Sequence, residues 1–343
     1  EADRYVRAGN WRLDNAWAPD FFVGKDVSGA TLGIIGLGAI GQAIARRAAG
    51  AMIRRSERPA LFQLRADITP VQFAFLNLHG YLVFAGVASP DEIQMVLDEV
   101  AGRVPVIVGV TAQDSQTTLR LARAALGGGA AALMIAAPAH CLDGQAQIAY
   151  FSGLGEALGG APIMLQNVPP PVGAGLAPEV IVEILKAVPS VRYVKEETLP
   201  SGQRLSVIQA LAPDSLLGVF GGAGGRFITD ELRRGAIGTM PAIELAEVHV
   251  ALFAAHRAGR QDEVRRLFTR MLPILNIQGV FRWALTKYVL HRRGLISAPI
   301  QRIAWPLLDP LDRQDVDAFL HDLNDLLLST EDMEQLTNSA TRP

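Results

Sequence analysis

The chain has one cysteine, Cys141. No intrachain disulfide can form, so a reducing compartment is the default and a cytoplasmic location is expected. Cys141 itself reads as a small core or loop residue. The sequence also lacks a charge imbalance, with a net charge of −2. That balance leaves no electrostatic footprint for nucleic acid or for an anionic membrane surface. It lacks an uninterrupted apolar run as well. The most apolar stretch, Ala122 to Cys141, is broken by Gly127-Gly128-Gly129 and by Pro138, and reads as helix end, turn and buried strand. No secretory signal is recognisable, and the chain begins at Glu1 rather than methionine, as a fragment would. Apolar residues, by contrast, are plentiful at 50% of 343 residues. That is enough for two ordinary domains, or for one barrel with an appendage.

In the N-terminal region, Thr31-Leu32-Gly33-Ile34-Ile35 reads as a short buried strand. It runs into Gly36-Leu37-Gly38-Ala39-Ile40-Gly41, with a helix expected from Gln42 to Ala49. This is G-x-G-x-x-G with a strand before it and a helix after it, the setting that gives the motif meaning. Gly36 permits the tight turn, Gly38 the approach of a pyrophosphate, and Gly41 the packing of helix on strand. Unpaired N–H groups at the helix start would face the phosphates.

Gly9-Asn10-Trp11, Trp17-Ala18-Pro19, Gly24-Lys25-Asp26 and Thr31–Gly41 resemble the D-2-hydroxyacid dehydrogenases of the glyoxylate and phosphoglycerate type. The resemblance implies a partial Rossmann-like β-α unit over residues 1–50, with NAD(P) as its cofactor and Gly36, Gly38 and Gly41 as the contacts. It stops after Gly50, where Ala51-Met52-Ile53-Arg54-Arg55-Ser56-Glu57-Arg58 replaces the expected second strand. That family's catalytic arginine, glutamate and histidine have no match further on.

From there the chain alternates short apolar strands with amphipathic helices. Strands are expected at Leu82–Ala85, Val104–Val110, Ala131–Ala136, Pro162–Gln166, Val191–Lys195, Leu216–Phe220 and Ala236–Met240. Helices are expected at Asp91–Val100, Gln116–Leu126, Gln145–Leu158, Pro178–Ala187, Gln203–Ala212 and Ile228–Arg234. Such alternation implies parallel pairing with right-handed crossovers. With an eighth strand around Ala60–Leu64, the α/β pattern is that of a (β/α)8 TIM barrel. Further helices are expected at Ala242–Ala258, Gln261–Leu275, Phe281–Arg293 and Asp312–Leu328. The domain plan is thus 1–50, a poorly patterned junction at 51–80, the barrel with its C-terminal helices over 81–328, and a polar tail at 329–343.

One stretch organises the barrel: Ser190-Val191-Arg192-Tyr193-Val194-Lys195-Glu196-Glu197-Thr198. A β-branched strand ends in a lysine, and the carboxyl ends of barrel strands form the active-site face. Burial there would favour the neutral amine, which attacks a ketone to form a Schiff base. On this stretch alone the alternative is a lysine that reaches out to water.

Gly102–Val110, Pro162–Pro169, Val191–Glu197, Gly235–Pro241 and Lys287–Arg302 together resemble the dihydrodipicolinate synthase / N-acetylneuraminate lyase family of class I aldolases. The resemblance covers residues from about 80 to 325. It implies that Lys195 forms an imine with pyruvate or another 2-oxo acid, that no cofactor is needed for the lyase chemistry, and that the protein is a homo-oligomer, often a tetramer. The family's relay tyrosine is replaced by Gln166, within Gln166-Asn167-Val168-Pro169. A glutamine cannot carry a proton near neutral pH. The branch resembling 2-keto-3-deoxy-L-arabonate dehydratase shares that glutamine, which favours a sugar-acid dehydratase or aldolase.

His140 is the candidate replacement acid/base, since its side chain titrates near neutrality. Asn167 is expected to shape the pocket. The loop Phe84 to Asp91 stands where the family has a hydroxyl-rich carboxylate-binding loop, leaving Gly86 and Ser89 as candidates. Gly221, Gly222 and Gly224 follow the seventh strand, counting the one near Ala60, where barrel loops often hold anionic groups. Arg226, Glu231 and Glu244 read as surface or helix residues. Glu196 and Glu197 either set the lysine's electrostatics or open a helix. Two truncated signatures meet at 51–80, which points to a join by gene fusion, frameshift or assembly error. The alternative to a working lyase is therefore an impaired fusion that keeps only a barrel scaffold or a nucleotide-binding remnant.

Overall fold

The computed structural model describes residues 82–84, 89–100, 102, 105–141, 143–301 and 306–329. The expected strand-helix unit at 31–49, the junction and the strand near Ala60–Leu64 lie outside the described residues. So do Gly36, Gly38, Gly41 and Gly86.

Seven parallel strands form one sheet in strictly sequential order. They are β1 (Leu82–Phe84), β2 (Val106–Gly109), β3 (Ala132–Ala136), β4 (Ile163–Asn167), β5 (Val191–Glu196), β6 (Gly218–Gly221) and β7 (Gly238–Thr239). Helices cross between them: α1 (Pro90–Val100), α2 (Ser115–Gly127), α3 (Gly144–Ala157), α4 (Pro178–Ala187), α5 (Ser201–Leu211) and α6 (Ile228–Arg233). Then come α7 (Ala246–Arg257), α8 (Gln261–Phe281), α9 (Trp283–Arg292) and α10 (Pro310–Asp322). All seven strands and all ten helices fall where the sequence pattern places them, with shifts at their ends.

Helix starts follow capping chemistry. Asp114 accepts from the Thr117 N–H at 2.7 Å, and Asp143 from the Ala146 N–H at 3.3 Å. Asp309 and Asp312 form a reciprocal capping box at α10. That box starts α10 at Pro310, two residues before the expected start. The helix then stops at Asp322 rather than running to Leu328, because Arg270 of α8 takes the Asp322 carbonyl and pairs with Asp325. α8 continues past the expected end at Leu275, through Pro273, to a break at Arg282. There the backbone turns left-handed, φ 38°.

The sheet has two differently filled faces, as strand alternation requires. One face packs on the helices. Ile163, Leu165, Val191 and Val194 join the main core there with Phe151, Ile181, Ile184, Leu205 and Ile208, all fully buried. The other face carries a separate cluster of Met134, Met164 and Met240 with Ile107, Tyr193 and Phe220. Burying one such aliphatic side chain contributes about 1.5–3 kcal/mol, so the helix-side core carries most of the fold. The methionine-rich face floors the site.

Candidate active site

In register, Gln166 of β4 lies beside Lys195 of β5, and Lys195 beside Phe220 of β6. Alternation then sorts the residues. Met164 and Gln166, and Tyr193, Lys195 and Glu197, belong to the methionine face. Asn167 and Glu196 belong to the helix face.

Lys195 is 6% exposed. Its Nζ lies 3.2 Å from Glu197 Oε2. The same oxygen accepts from Gln166 Nε2 at 2.6 Å, and Glu197 Oε1 accepts from the Ala223 N–H at 3.0 Å. Burial works to raise the Glu197 pKa, but Lys195, Gln166 and the Ala223 N–H together hold it below the usual carboxylate value. Glu197 is thus the centre of the cluster. The Lys195 environment adds one thing to the sequence expectation: the lysine is buried, and it is also ion-paired.

On the other face Asn167 is fully buried. Its Nδ2 donates to the Leu176 carbonyl at 3.1 Å and to Glu196 Oε2 at 2.9 Å, and its Oδ1 accepts from the Leu176 N–H at 2.8 Å. Glu196 also accepts from the Thr198 N–H at 2.7 Å and lies 3.4 Å from Arg204 Nε. Burial pushes the Glu196 carboxyl up, opposed by Asn167 and Arg204. Asn167 therefore fastens the loop after β4 to the end of β5, with its amide fully engaged inside the protein. Neither glutamate opens a helix, since α5 begins only at Ser201.

The glycine loop after β6 is shaped by side chains from behind. A Cβ on Gly221 would lie 1.8 Å from Glu231 Oε2, one on Gly222 2.6 Å from Glu197, and one on Gly224 2.7 Å from Gln278 Oε1. A Cβ on Gly225, at φ +81°, would meet His249 Nε2 at 2.3 Å. Glycine is required here to let these polar groups approach the backbone.

Glu231 and Glu244 are buried, contrary to the surface reading. Ile228, Glu231 and Leu232 share the inner face of α6, an i, i+3, i+4 pattern the sequence displays. Glu231 accepts from Ser201 Oγ at 2.6 Å, and burial with neighbouring carboxylates lifts it to about 7. Glu244 accepts from Thr286 Oγ1 at 3.0 Å and is lifted to about 7 by burial. His249 donates from Nδ1 to the Leu245 carbonyl at 2.9 Å, and burial holds its pKa down to about 4.

Two candidates stand apart from the cluster. His140 is exposed in the turn after β3, with no hydrogen bond or ion pair among the described residues. Ser89 caps α1: its N–H donates to Glu92 Oε2 at 2.7 Å, and its Oγ accepts from the Glu92 N–H at 3.2 Å. The S-x-x-E spacing signals that capping box in the sequence. Among the described residues no group of acidic, histidine or cysteine side chains is arranged to hold a metal ion. No helix among them is long and apolar enough to cross a membrane.

A sequential parallel sheet with helices crossing between its strands, and a buried lysine-carboxylate pair at their carboxyl ends, has the architecture of an α/β barrel-type protein. The particular family follows from comparison: residues 90–323 match the dihydrodipicolinate synthetase family, and the chain belongs to it. Residues 1–55 match the NAD-binding domain of D-isomer specific 2-hydroxyacid dehydrogenases. The chain is 28% identical over 238 residues to L-2-keto-3-deoxyarabonate dehydratase of Azospirillum brasilense, covering 68% of this chain and 76% of that protein. It is 46% identical over 103 residues to glyoxylate reductase of Thermococcus gammatolerans, covering 28% of this chain and only 30% of that protein. The crystal structure of dihydrodipicolinate synthase from Rhodopseudomonas palustris superposes with a TM-score of 0.67 at 28% identity, covering 74% of this chain and 90% of that one. Family membership makes the protein a lyase of the dihydrodipicolinate synthetase type.

Proposed function

We propose that the protein is a Schiff-base lyase acting on a 2-oxo acid, a sugar-derived 2-keto-3-deoxy acid by class, with Lys195 as nucleophile. The observation that carries the reading is the 3.2 Å pair between Lys195 Nζ and Glu197 Oε2 at buried strand ends. Glu197 takes a proton from the ammonium. The freed amine adds to the C2 ketone, Glu197 returns its proton to the departing hydroxyl, and loss of water leaves the protonated imine beside a carboxylate ready for the next step. The imine draws electrons from C3, and Glu197 accepts the C3 proton to give an enamine. The enamine then expels the hydroxyl on C4 as water, with a proton returned from Glu197. In aldol cleavage the C3–C4 bond breaks instead, as the C4 hydroxyl loses its proton. Water releases the product and restores the amine. Gln166 holds Glu197 in place through its amide, and the acid/base role passes to Glu197 rather than to His140. The dehydratase from Azospirillum brasilense, similar over 76% of its length, supports the dehydration arm.

The same reading takes the sheet as a closed (β/α)8 barrel with its remaining strand near Ala60–Leu64, in a cytoplasmic homo-oligomer. Residues 1–55 match only the NAD-binding part of a dehydrogenase, which favours as second reading a fusion that keeps a nucleotide-binding remnant beside a barrel without turnover.

The test is borohydride trapping: incubate with pyruvate, reduce, digest and locate the adduct by mass spectrometry, with Lys195→Ala as control. An adduct on Lys195 is expected. A folded sample that traps neither pyruvate nor longer 2-oxo sugar acids would refute the lyase reading, and a thermal shift with NAD(P) alone would favour the second.

A further inference from the structure

The residue after the glycine loop is an arginine without a partner. Arg226 is partly buried, and its guanidinium makes no ion pair or hydrogen bond among the described residues. It lies flat on α8 at Gly279, where a Cβ would sit 2.3 Å from Nη1. Only glycine leaves that slot open. The loop that carries Arg226 is the one whose Ala223 N–H binds Glu197, so its backbone is anchored to the lysine cluster.

An exposed arginine follows three residues beyond Gly279. Arg282 joins α8 to α9: its N–H donates to the Gln278 carbonyl at 2.8 Å, and its carbonyl accepts from the Thr286 N–H at 2.9 Å. It is a non-glycine residue at φ 38°, a conformation that persists only where the surroundings impose it and that gathers at ligand sites. Its side chain also has no ion pair or hydrogen bond among the described residues. Burial and then the Arg282 charge lower the Arg226 pKa, while Glu197 opposes them. A partly buried guanidinium with no acceptor is unfavourable unless an anion reaches it.

We propose that Arg226 holds a carboxylate of the ligand bound at Lys195. The planar fork of a guanidinium matches a carboxylate through two parallel hydrogen bonds. The carboxylate is either the one every 2-oxo acid carries next to its ketone or a second one at the far end of the ligand. The proposal rests on the lysine-site reading, and its test must not need imine formation.

Lactate and 2-hydroxyglutarate are suitable probes. They are the reduced counterparts of pyruvate and 2-oxoglutarate and have no ketone to form an imine. Their binding to the full chain is measured by calorimetry for the unaltered protein, Lys195→Ala, Arg226→Met and Arg226→Lys. Binding is expected in the first two, weakened about ten-fold or more in Arg226→Met, and partly restored in Arg226→Lys. If both probes weaken, the carboxylate is the one beside the ketone. If only 2-hydroxyglutarate weakens, it is the distal one. The thermal midpoint of Arg226→Met should be unchanged or higher, because an unpaired cation is removed; a structural arginine would lower it. Equal affinities in the unaltered protein and Arg226→Met, or no binding of either probe to the unaltered protein, would overturn the proposal. Borohydride trapping at Lys195 reports separately on the lyase reading.

Discussion

Glu196 and Glu197 are neighbours in sequence and opposites in environment. Glu197 faces the methionine-lined side and meets Lys195 directly, so its carboxyl is held below its usual pKa. Glu196 faces the helices and meets an amide at hydrogen-bond distance and an arginine at 3.4 Å, so burial wins and its carboxyl is raised. One step along a strand exchanges a reactive setting for an architectural one. The lesson is that the role of a buried carboxylate is set by the face of the strand it occupies and by how fully a cation compensates its burial.

The largest expected effect comes from disturbing the helix-side network. Asn167→Asp removes the amide donor and sets a second carboxylate against Glu196. Stability should fall by about 3 kcal/mol or more at neutral pH and recover in acid as the pair protonates, read by urea denaturation at two pH values. An unchanged midpoint would place Asn167 outside that network.

On the other face the effect should be chiefly chemical. Glu197→Gln should slow adduct formation with pyruvate by about 100-fold or more, while the sample stays folded, with a denaturation midpoint lowered less than in Asn167→Asp because the lysine loses its partner. If the rate persists and the fold is lost instead, the contrast between the two faces fails.

A smaller effect tests burial without a full cation. Glu244 is raised to about 7. A carboxyl raised in the folded state binds its proton there while the unfolded chain has released it. Its destabilising effect is absent below the unfolded value near 4.5, grows as pH rises from 4.5 to about 7, and is then constant. Glu244→Gln should therefore flatten the decline and gain about 2–3 kcal/mol at pH 8 relative to pH 4. A parallel pH profile in both proteins would contradict this.

The smallest effect is at Ser89. Ser89→Ala should lower stability by about 1 kcal/mol through loss of the α1 cap and leave the trapping rate at Lys195 unchanged. A slower rate with the midpoint intact would return Ser89 to the ligand.

The strand and helix order was legible because short apolar runs and amphipathic helices alternate without long loops. Lys195 was legible because a β-branched strand ends on it. The separation of Gln166 from Asn167 was available in principle: alternation along Ile163-Met164-Leu165-Gln166-Asn167 assigns them to opposite faces, but only once the buried residues on each face are known. Glu231 was readable from helical spacing, although an acidic residue on an apolar face is more often exposed. His140 had only its chemistry to recommend it, and the turn after β3 leaves it in solvent.

The sequence by itself determined the order of the elements, the parallel sheet and the position of the lysine, because local periodicity and strand length are short-range properties. It also determined the presence of two unrelated family signatures, at residues 1–55 and 90–323. Only the tertiary structure decided which carboxylate meets the lysine, why Gly221, Gly222, Gly224 and Gly225 must be glycines, and that Arg226 lies against Gly279. Those contacts join residues from β4, β5 and β6 with residues from α6, α7 and α8. Their energies depend on distances and burial that exist only when the strands are in register and the helices have closed around them.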